Sequence, residues 1–186
     1  MRRAAVSTIV LLAFMTSAGL AEATAKQHRD HAAPGSDSYI VREVHHQLVM
    51  LPYYSIFDDL EYKVNGYNVT LLGSVVRPTL KSEAGNVVKQ IEGVQSVTND
   101  IKVLPLSPMD NRIRLAEWRA IYGYPALNRY ALQAVGPIHI IVDSGHVTLK
   151  GVVASEMDKN MAGIRAQSVS GVFSVKNELQ VEQQGK

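Results

Sequence analysis

The chain has 186 residues, a formal net charge of +2 and no cysteine. A charge so near balance argues against a polyanion binder that works by bulk charge, so nucleic acid is not expected as a partner. Without cysteine there is no disulfide framework, no thiol nucleophile and no lipid attachment through an N-terminal cysteine, and an exported domain must stand on packing alone.

Arg2 and Arg3 precede an apolar run over 4–15, and small residues follow, ending in Ala21-Glu22-Ala23 and Ala23-Thr24-Ala25. That order predicts a secretory signal peptide over 1–23, cleaved after Ala23 or Ala25. The apolar run falls short of the ~20 residues a membrane span needs. The mature chain is therefore expected to be soluble, periplasmic and without a transmembrane segment. Residues 24–37 carry Pro34 and Gly35 and no apolar period, which reads as a flexible leader with His28 and His31 as solvated side chains.

A helix is expected next, capped by Asp37 or Ser38, with Ile40, Val44, Leu48 and Leu51 on one face and Pro52 as its stop. The period then changes to two: Leu60, Tyr62 and Val64, the dipeptide Asn65-Gly66, then Tyr67, Val69, Leu71, Gly73 and Val75. Alternating runs about Asn-Gly predict a hairpin. Gly73 is expected to leave room for a helix packed across that face. Pro78 opens a second helix with Ala84, Val88 and Ile91 inward, Gly93 is expected to cap its C-terminus, and Val97, Asn99, Ile101 and Val103 form a last strand.

The chain then says this again. Residues 64–103 lie over 142–181 without a gap (147 − 69 = 78), and fifteen of the forty positions are identical. The expected organisation is a first unit over 38–104, a linker over 105–109, a second unit over 110–182 and a tail over 183–186. Each unit should be an α+β fold of order αββαβ, a mixed three-stranded sheet with two helices on one face. Units of this size are marginal alone, so they should lean on one another.

The repeated pattern is Val-Thr-Leu-x-Gly-x-Val, a helix containing Ala-Gly, and Gly-Val-x-x-Val-x-Asn-x-Leu/Ile. It occupies 69–75 with 93–101 and 147–153 with 171–179. This resembles the BON domain (bacterial OsmY and nodulation), in the OsmY-like periplasmic arrangement of two copies. The resemblance implies an αββαβ fold, export, a role in envelope maintenance under osmotic stress, and, in some members, anionic phospholipid binding through the second domain. Other members are parts of larger envelope assemblies. The shared residues Gly73, Gly93, Asn99, Gly151, Gly171 and Asn177 each have a folding reason and are expected to hold the structure.

Chemistry is sparse. No nucleophile elbow, phosphate-cradling glycine loop or metal motif is present, so neither a cofactor nor an enzyme is expected. Asp58, Asp59 and Glu61 read as a solvated strand edge, and His139 and His146 as surface histidines. One helix, expected over 111–122 with Asp110 as its cap, stands out. Leu115, Trp118 and Tyr122 form one apolar stripe flanked by Arg112, Arg114 and Arg119, and Ile113, Ala116 and Ala120 form another on the opposite face. If the alanine stripe packs on the sheet, the aromatic stripe stands among arginines and suits an anionic membrane interface. If the aromatic stripe is core, the arginines lie at its edge, and a chain with a single Trp usually buries it. The form of 124–136 is open. The leading expectation is weak, reversible association with an anionic phospholipid surface. The alternative is a protein-interaction module whose sheet face, carrying Lys63, Thr70, Leu72, Ile141, Thr148 and Lys150, docks the other domain or an envelope protein.

Overall fold

Ser36 caps the first helix, one residue before the expected cap: its hydroxyl accepts from the Tyr39 amide at the head of α1, Asp37–Val49. The computed structural model describes residue 33 and residues 35–182, so the expected signal peptide, most of the leader and the tail lie outside the described residues. Ile40, Val44 and Leu48, a turn apart, are the buried edge of α1.

Strands β1, Asp59–Asn65, and β2, Asn68–Val75, pair antiparallel about a turn in which Gly66 takes a left-handed φ of 57°. Pro78 at the first turn opens α2, Pro78–Lys89. The chain then returns as β3, Ser96–Asn99, and β4, Lys102–Val103, both parallel to β2. The third strand of the expected sheet is thus one path in two pieces, parted at Asp100 and Ile101, with Ile101 buried in the core. Ile40, Val44, Leu48, Leu71, Leu80, Val88 and Ile101 belong to that core; burying such a side chain contributes ~1.5 to 3 kcal/mol.

The second unit repeats this order: α3, Pro108–Tyr122; β5, Ile138–Asp143; β6, His146–Val153; α4, Glu156–Gln167; β7, Ser174–Asn177; and β8, Gln180–Val181. β6 pairs antiparallel with β5 and parallel with β7 and β8. A 3-10 helix, Asn128–Leu132, lies in the stretch whose form the sequence left open.

Two expectations about the shared glycines need correction. Gly73 (φ +101°) and Gly151 (φ +113°) face no helix; an added Cβ would lie 2.2 Å from the Asp59 carbonyl oxygen and 1.9 Å from that of Pro137. They are kinks forced by the approach of the partner strand. Gly93 and Gly171 lie beyond the helix ends at Lys89 and Gln167, in the turns that enter the last strand, at φ +91° and +89°.

The units lean on one another, in part through Asp58, Asp59 and His139, which the sequence assigned to solvent. Ile56 and Phe57, between α1 and β1, pack against the second core. The Ile140 amide donates to the Ile56 carbonyl at 2.7 Å, and His139 Nδ1 lies 2.6 Å from the Asp58 carbonyl oxygen, with its ring stacked on Tyr54. Asp58 and Asp59 are buried. Lys150 of β6 bonds Asp59 at 2.7 Å and Glu61 at 2.6 Å, and Lys102 pairs with Asp143. The carboxylate cluster and His139 are therefore parts of a seam between the repeats; parity within one strand could not reveal it.

Candidate functional site

Helix α3 begins at Pro108, three residues before the expected start, because Ser107 is its N-cap and accepts from the Asp110 amide. Asp110 has a different task. Its buried carboxylate accepts from the amides of Ser144 and Gly145 at 3.0 and 2.9 Å, closing the β5–β6 turn.

The buried face of α3 is Asp110, Ile113, Arg114, Glu117 and Ile121, with Tyr122 beside it. It follows the spacing i, i+3, i+4, i+7, i+11, yet three of its members are charged, so it matches neither apolar stripe of the sequence. Arg114 is 3% exposed. Its guanidinium donates to Asn111 Oδ1 at 2.6 Å and to the Val142 carbonyl at 2.7 Å, while Nε has no partner among the described residues. Burial pushes its pKa down, against the pull of Asp110, Asp58 and Asp143. Tyr122 OH donates to the Ile138 carbonyl at 2.7 Å and accepts from the Ile138 amide at 3.1 Å, and burial pushes its pKa up to about 12.

The six residues expected to meet a membrane therefore divide. Arg114 and Tyr122 turn inward and are buried. Leu115 and Trp118, a turn apart, are 49% and 45% exposed, and Arg112 and Arg119 are exposed with them. The single Trp is not a core residue. The inner place that its rarity suggested is taken by Ile113, Glu117 and Ile121.

Beside this strip a cleft of about 440 Å³ opens between the repeats. Tyr53, Ser55, Phe57, Asp58, Val76 and Arg77 form its wall from the first repeat, and Asn111, Arg114 and Leu115 of α3 form the other. Tyr53, at φ 67°, is a non-glycine residue in the left-handed region, and Arg77 stacks over its ring at 4.7 Å. Sequence reading missed Tyr53 and Arg77 because nothing local marks them; three distant stretches meet here.

Glu117 was also missed. It is fully buried and neither carboxyl oxygen has a partner among the described residues; burial pushes its pKa up to about 8. A comparison of the two opening helices would have marked it. Ile113, Glu117 and Ile121 repeat the spacing of Ile40, Val44 and Leu48 (113 − 40 = 117 − 44 = 121 − 48 = 73), so the carboxyl stands where the first repeat buries a valine.

The shared asparagines, expected to hold the structure, bond to backbone in both repeats. Asn99 Nδ2 donates to the Lys81 carbonyl at 2.8 Å and its Oδ1 accepts from the Ile101 amide at 3.3 Å. Asn177 repeats both bonds, with Lys159 at 2.7 Å and Leu179 at 3.2 Å. Among the described residues no helix is long and apolar enough to cross a membrane, and no cluster of His, Cys, Asp and Glu is suited to a metal ion.

Compared with known proteins, residues 36–105 and 126–183 match the model of the BON domain. No curated protein matches the chain. Among solved structures the chain is similar to CdsD, a structural protein of the type III secretion system of Chlamydia trachomatis, at 13% identity and a TM-score of 0.31, over 78% of this chain and 94% of that one. A structure of the C-terminal domain of CdsD is similar at 14% identity and a TM-score of 0.28, over 77% of this chain and 97% of that one. TM-scores this low carry no weight for fold or function.

Proposed function

The chain belongs to the BON domain family, and from that premise we propose that it is an exported, non-enzymatic envelope maintenance protein, serving under osmotic stress, that associates with anionic phospholipid surfaces through the outer face of α3. The observation that carries this reading is Leu115 and Trp118 standing exposed, a turn apart, with exposed Arg112 and Arg119 on the same helix. An indole with an aliphatic neighbour gains by entering the headgroup boundary, and guanidinium groups gain beside anionic headgroups.

Magnitudes make the association weak. Two arginines contribute ~1 kcal/mol each near an anionic leaflet, and insertion of Leu115 and Trp118 adds a few kcal/mol. Binding is reversible at that level, and lasting attachment needs several copies or a partner. The alternative, a module of an envelope assembly docked through the sheet face, loses part of its surface within the chain: Ile141 is buried and Lys150 is held by Asp59 and Glu61.

Co-sedimentation of the full chain with vesicles of phosphatidylcholine, with and without phosphatidylglycerol, tests the reading. Sedimentation is expected only with the anionic vesicles, with a blue shift of Trp118 emission, and it should vanish in Arg112→Glu with Arg119→Glu. Salt should mimic the substitutions, since exposed charges are screened over ~10 Å at 0.1 M. Absence of sedimentation with Trp118 emission unmoved overturns it.

A further inference from the structure

We infer that the edge of the first sheet is an interface for a second copy of this chain, joined strand to strand through β1; the inference does not depend on the interfacial reading of α3. Backbone parity decides which groups of β1 look outward. The carbonyls of Tyr67, Leu71 and Val75 accept from the amides of Gln95, Asp100 and Leu104 on the far side of β2. The alternate residues of β2 therefore serve β1, and Asn65, Lys63 and Glu61 opposite them make the ladder bonds. That leaves the amides and carbonyls of Leu60, Tyr62 and Val64 turned to the edge, where none has a hydrogen-bond partner among the described residues.

The second repeat closes the same edge. At the matching positions (138 − 60 = 140 − 62 = 142 − 64 = 78), Tyr122 OH holds both the amide and the carbonyl of Ile138, the Ile140 amide donates to the Ile56 carbonyl, and Arg114 donates to the Val142 carbonyl. Two of those caps come from the opening helix, and α1 lacks them. Val41 and Val49 stand where α3 carries Arg114 and Tyr122 (114 − 41 = 122 − 49 = 73). Both valines are exposed, and Tyr62 OH donates to the Val41 carbonyl at 3.2 Å, which keeps α1 beside the strand. An unpaired edge flanked by apolar side chains is a template for another strand.

The charges on β1 select its own copy as that strand. An antiparallel pair of β1 strands with its two-fold axis at Tyr62 joins outward backbone to outward backbone, sets Leu60 opposite Val64, and places Glu61 of each copy opposite Lys63 of the other. Those Glu–Lys positions are the non-hydrogen-bonded ones, where side chains across the pair come closest. Lys63 is exposed and has no carboxylate partner among the described residues. Glu61 is half exposed and engaged by Lys150 through Oε1 alone, so it can take a second cation.

Sedimentation equilibrium of the full chain over a range of concentrations, with amide hydrogen exchange read alongside, tests this. A monomer–dimer equilibrium is expected, with exchange at Leu60, Tyr62 and Val64 slowing as the dimer forms while Ile138 and Ile140 stay unchanged. Lys63→Glu sets like charges opposite one another twice and should weaken the dimer roughly tenfold, and Glu61→Lys should do the same. Mixed in equal amounts, the two variants should associate with each other near the parental affinity, because every facing pair is then Glu with Lys. Val41→Arg with Val49→Tyr, which gives α1 the caps of α3, should close the edge and leave a monomer. All four positions are exposed, so these variants fold, and an unchanged thermal melt checks it. A parent that is monomeric at every concentration overturns the second copy as occupant. A dimer that persists in Val41→Arg with Val49→Tyr, or that forms without slowed exchange at Leu60, Tyr62 and Val64, overturns the edge. Failure of the mixed variants to associate overturns the pairing about Tyr62.

Discussion

Gly85 on α2 faces Asn99 on β3 so closely that a Cβ there would lie 2.8 Å from the asparagine amide nitrogen, and Gly163 faces Asn177 at the same 2.8 Å. The amide cannot swing away without cost, because its two ends hold the Lys81 carbonyl and the Ile101 amide. A glycine within a helix ordinarily costs about 1 kcal/mol relative to alanine. Here the cost is offset by a bond that joins the helix to the sheet edge.

That relationship predicts a reversal of sign. Gly85→Ala should destabilise by ~1 to 2 kcal/mol, since the displaced amide leaves buried polar groups unpaired. In an Asn99→Ala background the same substitution should stabilise, because the clash is gone and helix propensity alone remains. A double-mutant cycle by urea denaturation reads the coupling. Additive effects would show that the two residues do not constrain each other.

Glu117 predicts a pH dependence. Its folded-state pKa, about 8, lies above the ordinary carboxyl value of 4.5 because burial disfavours the carboxylate. Between those values the folded chain holds a proton that the unfolded chain has released. Its contribution to stability is therefore most favourable below about pH 4.5, falls as pH rises through the window, and levels off above about pH 8. Glu117→Gln should flatten this slope relative to the parent. Glu117→Val, which restores the residue that the first repeat buries at Val44, should raise stability at pH 7 by a few kcal/mol, as replacing buried charged groups by packed apolar ones often does. Parallel melting curves for parent and Glu117→Gln from pH 5 to 9 would contradict the assignment.

Tyr122 and Trp118, one turn apart on α3, should respond in opposite ways. Tyr122→Phe removes a hydroxyl that both donates to and accepts from the Ile138 backbone and leaves two buried groups unpaired, a loss of ~1 to 3 kcal/mol. Trp118→Ala, from a site nearly half exposed, should cost well under the ~3 to 5 kcal/mol of a core aromatic while weakening vesicle binding. Thermal melts of the two variants decide which ring is core.

Much of the fold was legible because hydrophobic periodicity and duplication agree. Val69, Leu71 and Val75 alternate into one core as Val147, Leu149 and Val153 do into the other, and a spacing of 78 carries the register from strand to strand. Helix α3 was misread because Asp110, Arg114 and Glu117 occupy its inner face, and a pattern of apolar residues cannot report a buried charge. The kinks at Gly73 and Gly151 were seen as close contacts but given the wrong neighbour, since a strand pattern does not say whether crowding comes from above the sheet or from beside it. The cleft was invisible: Tyr53, Arg77 and Arg114 are distant in sequence, and only the docking of the two repeats brings them together.

The last prediction concerns that docking. Lys150 of the second repeat bonds Asp59, which is buried, and Glu61, which is half exposed. The exposed arm contributes little, whereas removing the cation leaves the Asp59 carboxylate buried without a partner, so Lys150→Ala should cost ~1 to 3 kcal/mol at pH 7. Burial already pushes the Asp59 pKa up, with the Lys150 hydrogen bond and charge opposing it, and losing the lysine moves it further in the same direction. A protonated carboxyl needs no cation. The deficit of Lys150→Ala should therefore shrink as pH falls from 7 to 4.5, and Lys150→Ala with Asp59→Asn should recover much of the loss at neutral pH. Urea midpoints at both pH values measure this. A deficit that stays constant, and is not relieved by Asp59→Asn, would mean that the aliphatic stem of Lys150 rather than its charge holds the repeats together.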